Sequence, residues 1–320
     1  PFVGNSKAIR IRLQTVAQQP SATVRNVAPT VSNLAPATSS VNEGELLTHL
    51  IGMYPEMEAV IRDASNVLVG SERVRELVGK YRPDAAVLEY GVEVPHAELA
   101  NAALRRTPSA ATQPKRLVCG IFASYEPRKG QDLLIAAGHE LPASLASRIE
   151  FRFYGRVLAP HFFEEIKRMA APLRNIALNP ELTLVEYFQQ MAECDLIVIP
   201  SRDDTLPLVS LHALALGKPL MCTLSTGTSR YLTHMKTGIL VAANTSSAMA
   251  QTLFDVLSAP DEAWREIGKN GRQVFHDNFR PERFRKRLID ILLKAKADGA
   301  DVQIGGTEKM SKSKNNGIDP

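Results

Sequence analysis

From Arg116 onward the chain repeats one pattern that few folds can satisfy. Short, continuous apolar runs alternate with longer amphipathic ones: "RLVCGIFAS", "IEFRFYG", "NIALN", "DLIVIPS", "PLMCT" and "GILVA" are the short ones. Between them lie "QDLLIAAGHEL", "APHFFEEIKRMAAPL", "LTLVEYFQQMAEC", "LPLVSLHALALG" and "SSAMAQTLFDVLS". A strand with one wet face alternates apolar and polar residues, whereas a strand covered on both faces does not. Most of these runs do not alternate, so they are read as doubly covered strands joined by helices. Right-handed crossovers then give an α/β fold with a doubly wound, Rossmann-like parallel sheet. Gly217, with Pro219 beyond it, marks a helix end.

The rest of the chain is less regular. Residues 1–45 are rich in Ser, Thr, Ala, Pro and Gln and are expected to be loop or partly ordered. Leu46, Leu47, Leu50, Ile51, Met57, Val60 and Ile61 are placed for the apolar stripe of a helix over 46–64. "NVLVGSERVRELVGKY" reads as a strand, then Ser71 near a helix start, and "AAVLEYGVE" as a further strand. The expected division is a partial first domain over 1–95, poorly ordered at its start, a linker over 96–115, a main domain over 116–295 and a tail over 296–320. "PERFRKRLIDILLKA" puts Phe284, Leu288, Ile291 and Leu292 on one face of a closing helix, with a solvated basic face opposite. The chain starts at Pro1 and stops inside a motif, and is read as a fragment.

Charge excludes one class. Lys and Arg exceed Asp and Glu by only 38 to 34, so no nucleic-acid partner is expected, although a local pocket for an anion is allowed. The three cysteines, Cys119, Cys194 and Cys222, sit far apart in apolar runs, which suits buried free thiols in a reducing compartment. With no signal peptide and no apolar run of membrane-spanning length, the expected location is the cytoplasm, with peripheral contact at the inner face of a membrane as an added option.

In a doubly wound sheet, ligands sit beyond the carboxyl ends of the strands, where three stretches would meet. "ASYEPRKGQD" places Arg128 and Lys129 before Gly130 and a helix. Such cations can neutralise a diphosphate; on spacing alone a solvated basic turn is the plainer reading. Gly155 closes a strand, allowing either close approach of a ligand or a tight turn. "PSRDDTLPLVSLHALALGKP" places Asp203 and Asp204 after a buried strand, with a helix start near Pro207 that would favour a phosphate. Ordinary N-capping by one of the two acids is the alternative. Their adjacency argues against a metal-binding pair, which normally has one residue between the acids.

Taken together, residues of about 60–295 resemble the C-terminal half of a GT-B glycosyltransferase of the large retaining family 4, also called group 1. The matching pieces are "DASNVLVGSERVRELV" with "YGVE", "SYEPRKGQDLLIAA", "YFQQMAECDLIVIPSRDDTLPLVSLHALALGKPL" and "STGTSRYLTHMKTGILV", in the family's order. The resemblance implies transfer of a sugar from a nucleotide-diphosphate sugar to a glycan or lipid-linked acceptor, with no cofactor and no metal required. It also implies that the acceptor-side domain is incomplete here. It places Lys129 and Arg128 on the donor diphosphate, and Leu206, Pro207, Leu208 and Val209 around the distal phosphate. Ser124 and Gly155 fall in donor-binding segments. The family's Glu-x7-Glu pair falls on Asp204, toward the donor sugar, and His212, toward the ribose hydroxyls. This chain departs from the pattern at four places. Ser124 replaces an Arg, Asp204 a Glu, His212 a Glu, and Arg230 stands where a Glu is common.

The tail "ADGADVQIGGTEKMSKSKNNGIDP" resembles leucyl-tRNA synthetase around its signature loop, in which Lys309 and Lys312 would bind ATP phosphates. No His-x-Gly-His motif, which that loop needs, occurs in the chain. Three readings therefore follow: a glycosyltransferase, a synthetase fragment confined to the tail, and a nucleotide-binding module without turnover.

Overall fold

The computed structural model describes residues 55–94 and 116–297. The expected linker, the tail with Lys309 and Lys312, and the stripe residues Leu46 to Ile51 lie outside the described residues.

Six strands make the main sheet. They are β3 (Leu117–Phe122), β4 (Ile149–Tyr154), β5 (Ile176–Asn179), β6 (Leu196–Ile199), β7 (Leu220–Thr223) and β8 (Ile239–Val241). All pairings are parallel, in the order β5-β4-β3-β6-β7-β8. Sequence order thus reverses between β3 and β6, the switch point at which a doubly wound sheet opens a crevice. Burial explains the apolar runs of the inner strands, whereas β4 alternates buried and half-buried positions and the edge strand β5 is half-buried throughout. β6 and β7 are buried at every position, and β3 at all but its first. One apolar cluster, containing Leu134, Phe151, Ile166 and Leu253, covers one face. Another, containing Phe188, Leu211, Leu214 and Phe279, covers the other. Cys119, Cys194 and Cys222 are free and buried, and burial pushes the Cys222 thiol up to about 12.

Helices follow the strands much as the periodicity indicates. The helix after β5 starts at Leu184 because Thr183 and Glu186 form a capping box. The helix after β6, Leu208–Ala215, is followed by Gly217 in the left-handed conformation. One long helix, Asp261–Asn278, carries no expectation from the sequence. Gly268 and Gly271 lie on its packed side and lower both its helix propensity and its apolar signal.

Ahead of the main sheet stand a helix (Pro55–Asp63), β1 (Leu68–Val69), a helix (Glu72–Val78) and β2 (Ala86–Val87). The two strands pair in parallel. Ser71 caps the second helix by accepting the Val74 N–H at 3.3 Å. Ile61 packs on this small unit, but Val60, expected on the same stripe, points outward at 43% exposure. The closing helix, Pro281–Ala297, returns to this segment. There Arg287 pairs with the Glu89 carboxylate and donates to the Val87 carbonyl at 2.6 Å. No helix among the described residues is long and apolar enough to cross a membrane.

Candidate functional site

The loops leaving β3 and β6 flank the switch point and hold most of the residues singled out above. The β3 loop is rigidly seated. Tyr125 is buried, and its hydroxyl donates to the Asn179 carbonyl at 2.8 Å. Gln131, fully buried, donates from Nε2 to the Ser124 carbonyl at 2.7 Å. A single 3-10 turn, Pro127–Lys129, ends at Gly130, whose φ is 68°. A Cβ at Gly130 would overlap the Pro200 carbonyl oxygen, so the β6 backbone can pass this close only over a glycine. Gly155 has a similar cause: its missing side chain admits the Ala123 carbonyl of the neighbouring strand end.

The two loops meet through charge. Lys129 Nζ lies 2.6 Å from Asp204 Oδ2, and Arg128 Nη1 lies 3.9 Å from Asp204 Oδ1. Both members of the closer pair are largely buried, with 15% and 10% of their side chains exposed. Arg128 also donates to the Asp203 carbonyl at 3.3 Å. Neither acid caps the helix: Pro207 is its N-cap residue and makes no side-chain cap. The N-capping alternative is thereby replaced by ion pairing. Leu206 is buried beneath the turn and Leu208 is exposed at the helix start, with Val209 part-buried beside it. Ser124 donates to Glu126 at 2.8 Å, so its hydroxyl is engaged within its own loop.

His212 lies one turn into that helix. Its Nδ1 is 2.9 Å from the Tyr187 hydroxyl, and its ring meets Tyr187 and Phe188 edge-on. Burial lowers its pKa from 6.5 to about 4, so at neutral pH it is an uncharged hydrogen-bonding group.

Several contacts escaped sequence reasoning. Arg202 grips Asp132 with Nη1 and Nη2 at 2.8 and 2.5 Å and also donates to the Pro127 carbonyl at 2.6 Å, tying the two loops together. Arg73, from the segment ahead of the main domain, reaches Asp203 at 3.4 Å. Arg230 pairs with Glu76 on that same segment at 2.8 Å. Beneath the acidic loop, Ser210 and Thr228 share a buried hydroxyl contact of 2.5 Å, and Thr223 donates to the Ser201 carbonyl at 2.6 Å. The only available signal was composition: Ser and Thr are dense around 201–229. Among the described residues no group of three or more His, Cys, Asp or Glu could hold a metal.

A parallel sheet with a cationic pair and an acid at its switch point defines a Rossmann-type domain. The chain belongs to the family described as Glycosyl transferases group 1, whose profile matches residues 107–274. An uncharacterized glycosyltransferase of Methanocaldococcus jannaschii is 22% identical over 155 residues, which are 48% of this chain and 42% of that protein. A leucine–tRNA ligase of Ectopseudomonas mendocina is 48% identical over 58 residues, but these are 18% of this chain and 7% of the ligase. The chain thus spans less than half the length of both relatives. Two solved structures show the same fold. Sucrose-phosphate synthase from Thermosynechococcus elongatus has a TM-score of 0.63 at 18% identity, covering 82% of this chain and 65% of that one. Anabaena HepE, solved with UDP-glucose, has a TM-score of 0.61 at 19% identity, covering 73% and 65%. These similarities identify GT-B glycosyltransferases as the structural neighbours.

Proposed function

We propose that the chain carries the donor half of a family 4 retaining glycosyltransferase, which uses a nucleotide-diphosphate sugar and a glycan or lipid-linked acceptor. The observation that supports this most is the meeting of Lys129 and Asp204 across the switch point. A diphosphate seated there would take Lys129 and Arg128 as counter-charges, with the uncapped helix start at Leu208 and Val209 facing the distal phosphate. Asp204 would then be released toward the donor sugar. His212 would hydrogen-bond the ribose hydroxyls as a neutral partner.

In the reaction, the bond from the sugar's anomeric carbon to the diphosphate oxygen breaks. A bond to the acceptor oxygen forms on the same face, and the acceptor's proton passes to the departing diphosphate. Negative charge grows on that diphosphate as the bond breaks, so fixed cations beside it lower the barrier. The tail's likeness to the signature loop of leucyl-tRNA synthetase does not extend to an adenylate-forming site in this reading.

Incubation with UDP- and GDP-sugars, followed by thermal unfolding, tests the donor claim. A rise in melting temperature with at least one of them is expected, and folded protein that responds to none would remove the proposal.

A further inference from the structure

The opposite end of the sheet holds a second basic concavity. It lies at the amino ends of the strands and is bordered by Leu117, Asp195 and Pro219, which begin or immediately precede β3, β6 and β7. β3 has six residues; at about 3.3 Å per residue its two ends are roughly 17 Å apart, so this groove is separate from the Lys129–Asp204 site. Its volume is about 500 Å³, within the range of small-molecule sites.

Its charge is one-sided. Arg116, Arg148, Lys218, Arg265, Lys269 and Arg272 line it together with one carboxylate, Asp195, and at its rim Glu266 lies 3.9 Å from Lys269 Nζ. Six positive charges less one negative leave +5, against +4 for the entire chain. The fold uses only part of this set. Arg148 donates to the Leu257 carbonyl at 2.8 Å, and Lys218 to the Cys194 carbonyl at 2.8 Å. By contrast, Arg116, Arg265 and Arg272 have no ion-pair partner among the described residues. The Nε of Arg272 is buried without a hydrogen-bond acceptor there. The ring of Trp264 gives the same groove an apolar wall.

We infer that this groove is a second ligand site, for a soluble phosphorylated small molecule with an aromatic or apolar body. The phosphates would lie among Arg116, Arg265, Lys269 and Arg272, and the body against Trp264. This inference is independent of the donor reading, since it uses none of its residues.

Trp264 is the chain's single tryptophan, so its intrinsic fluorescence reports on the groove without a label. Pyrophosphate and ATP are the probes, titrated separately at low salt into the full chain. A saturable change with ATP is expected, with weaker binding of pyrophosphate, which lacks the body. Arg265→Glu with Lys269→Glu alters exposed side chains and is expected to weaken ATP by about tenfold or more, leaving the thermal response to donor sugars unchanged. Lys129→Ala is expected to keep the fluorescence response. No saturable change with either probe, or a change the charge reversal leaves intact, overturns the inference. So does a response that Lys129→Ala abolishes, which would belong to the donor site. Binding confined to phosphatidylglycerol-containing vesicles also overturns it, assigning the charge to a lipid surface.

Discussion

Lys129 and Asp204, 75 residues apart in sequence, lie with Nζ and Oδ2 2.6 Å apart at the switch point of the sheet. Without a ligand the cation and the acid neutralise each other. The proposed function requires them to separate, the cation to the diphosphate and the acid to the sugar. Asp204→Asn frees Lys129, so the affinity for free UDP or GDP should rise by about fivefold, near 1 kcal/mol for a pair of this kind. Sugar transfer should fall in the same variant. Lys129→Ala should behave oppositely in binding, losing nucleotide affinity, and should lower kcat by roughly 10²–10³-fold. Calorimetric titration with the nucleoside diphosphate, beside a transfer assay, checks both. Weaker nucleotide binding in Asp204→Asn would count against this arrangement.

The Arg202–Asp132 pair is expected to matter indirectly. Its two short contacts join the β6 loop to the helix after β3, and both side chains are about four-fifths buried. Asp132→Asn leaves the guanidinium with a weaker partner, and a loss of about 1–3 kcal/mol in unfolding free energy should follow. Urea unfolding measures it. Because the pair also sets the spacing of Lys129 from Asp204, donor KM should rise more than kcat falls.

What the sequence made legible follows from the range over which each force acts. Doubly buried strands must be apolar throughout, so "DLIVIPS" and "PLMCT" declare themselves, and the Thr183–Glu186 box marks its own helix start. Ion pairs have no such local signature. Arg202 could have paired with any of several acids, and nothing near it in sequence points to Asp132. The sequence puts Lys129 and Asp204 in two separate strand-end loops, and only the fold shows their direct contact. At Gly155 the sequence allows a ligand or a turn, and the close backbone of Ala123 accounts for the glycine. The helix Asp261–Asn278 packs through Ile267 and Phe275 as well as through Gly268 and Gly271, and the two glycines break up an apolar stripe that is otherwise at helical spacing.

His212 gives stability a pH dependence with a defined sign. Its folded pKa of about 4 lies below the ordinary 6.5, so the unfolded chain takes up the proton first. The contribution is therefore complete above about pH 6.5 and is lost as the pH falls from there toward 4. The full difference is about 3 kcal/mol at most. His212→Gln, which keeps a hydrogen-bonding group for Tyr187 without a titratable proton, should flatten that part of the curve. Chemical denaturation at a series of pH values compares the two proteins.

Gly130→Ala should be among the most damaging single-methyl changes in the chain. The residue has φ of 68°, a conformation that costs an L side chain roughly 1 kcal/mol, and the added carbon would overlap the Pro200 carbonyl oxygen. Relief requires the β3 loop to move away from the β6 loop, which also carries Lys129 away from Asp204. Two readouts should therefore change together: unfolding free energy, by about 2–4 kcal/mol, and the donor-induced rise in melting temperature, which should shrink even where the variant remains folded. A variant that loses stability but keeps the full donor response would show that the loop spacing at Gly130 is not what sets the site.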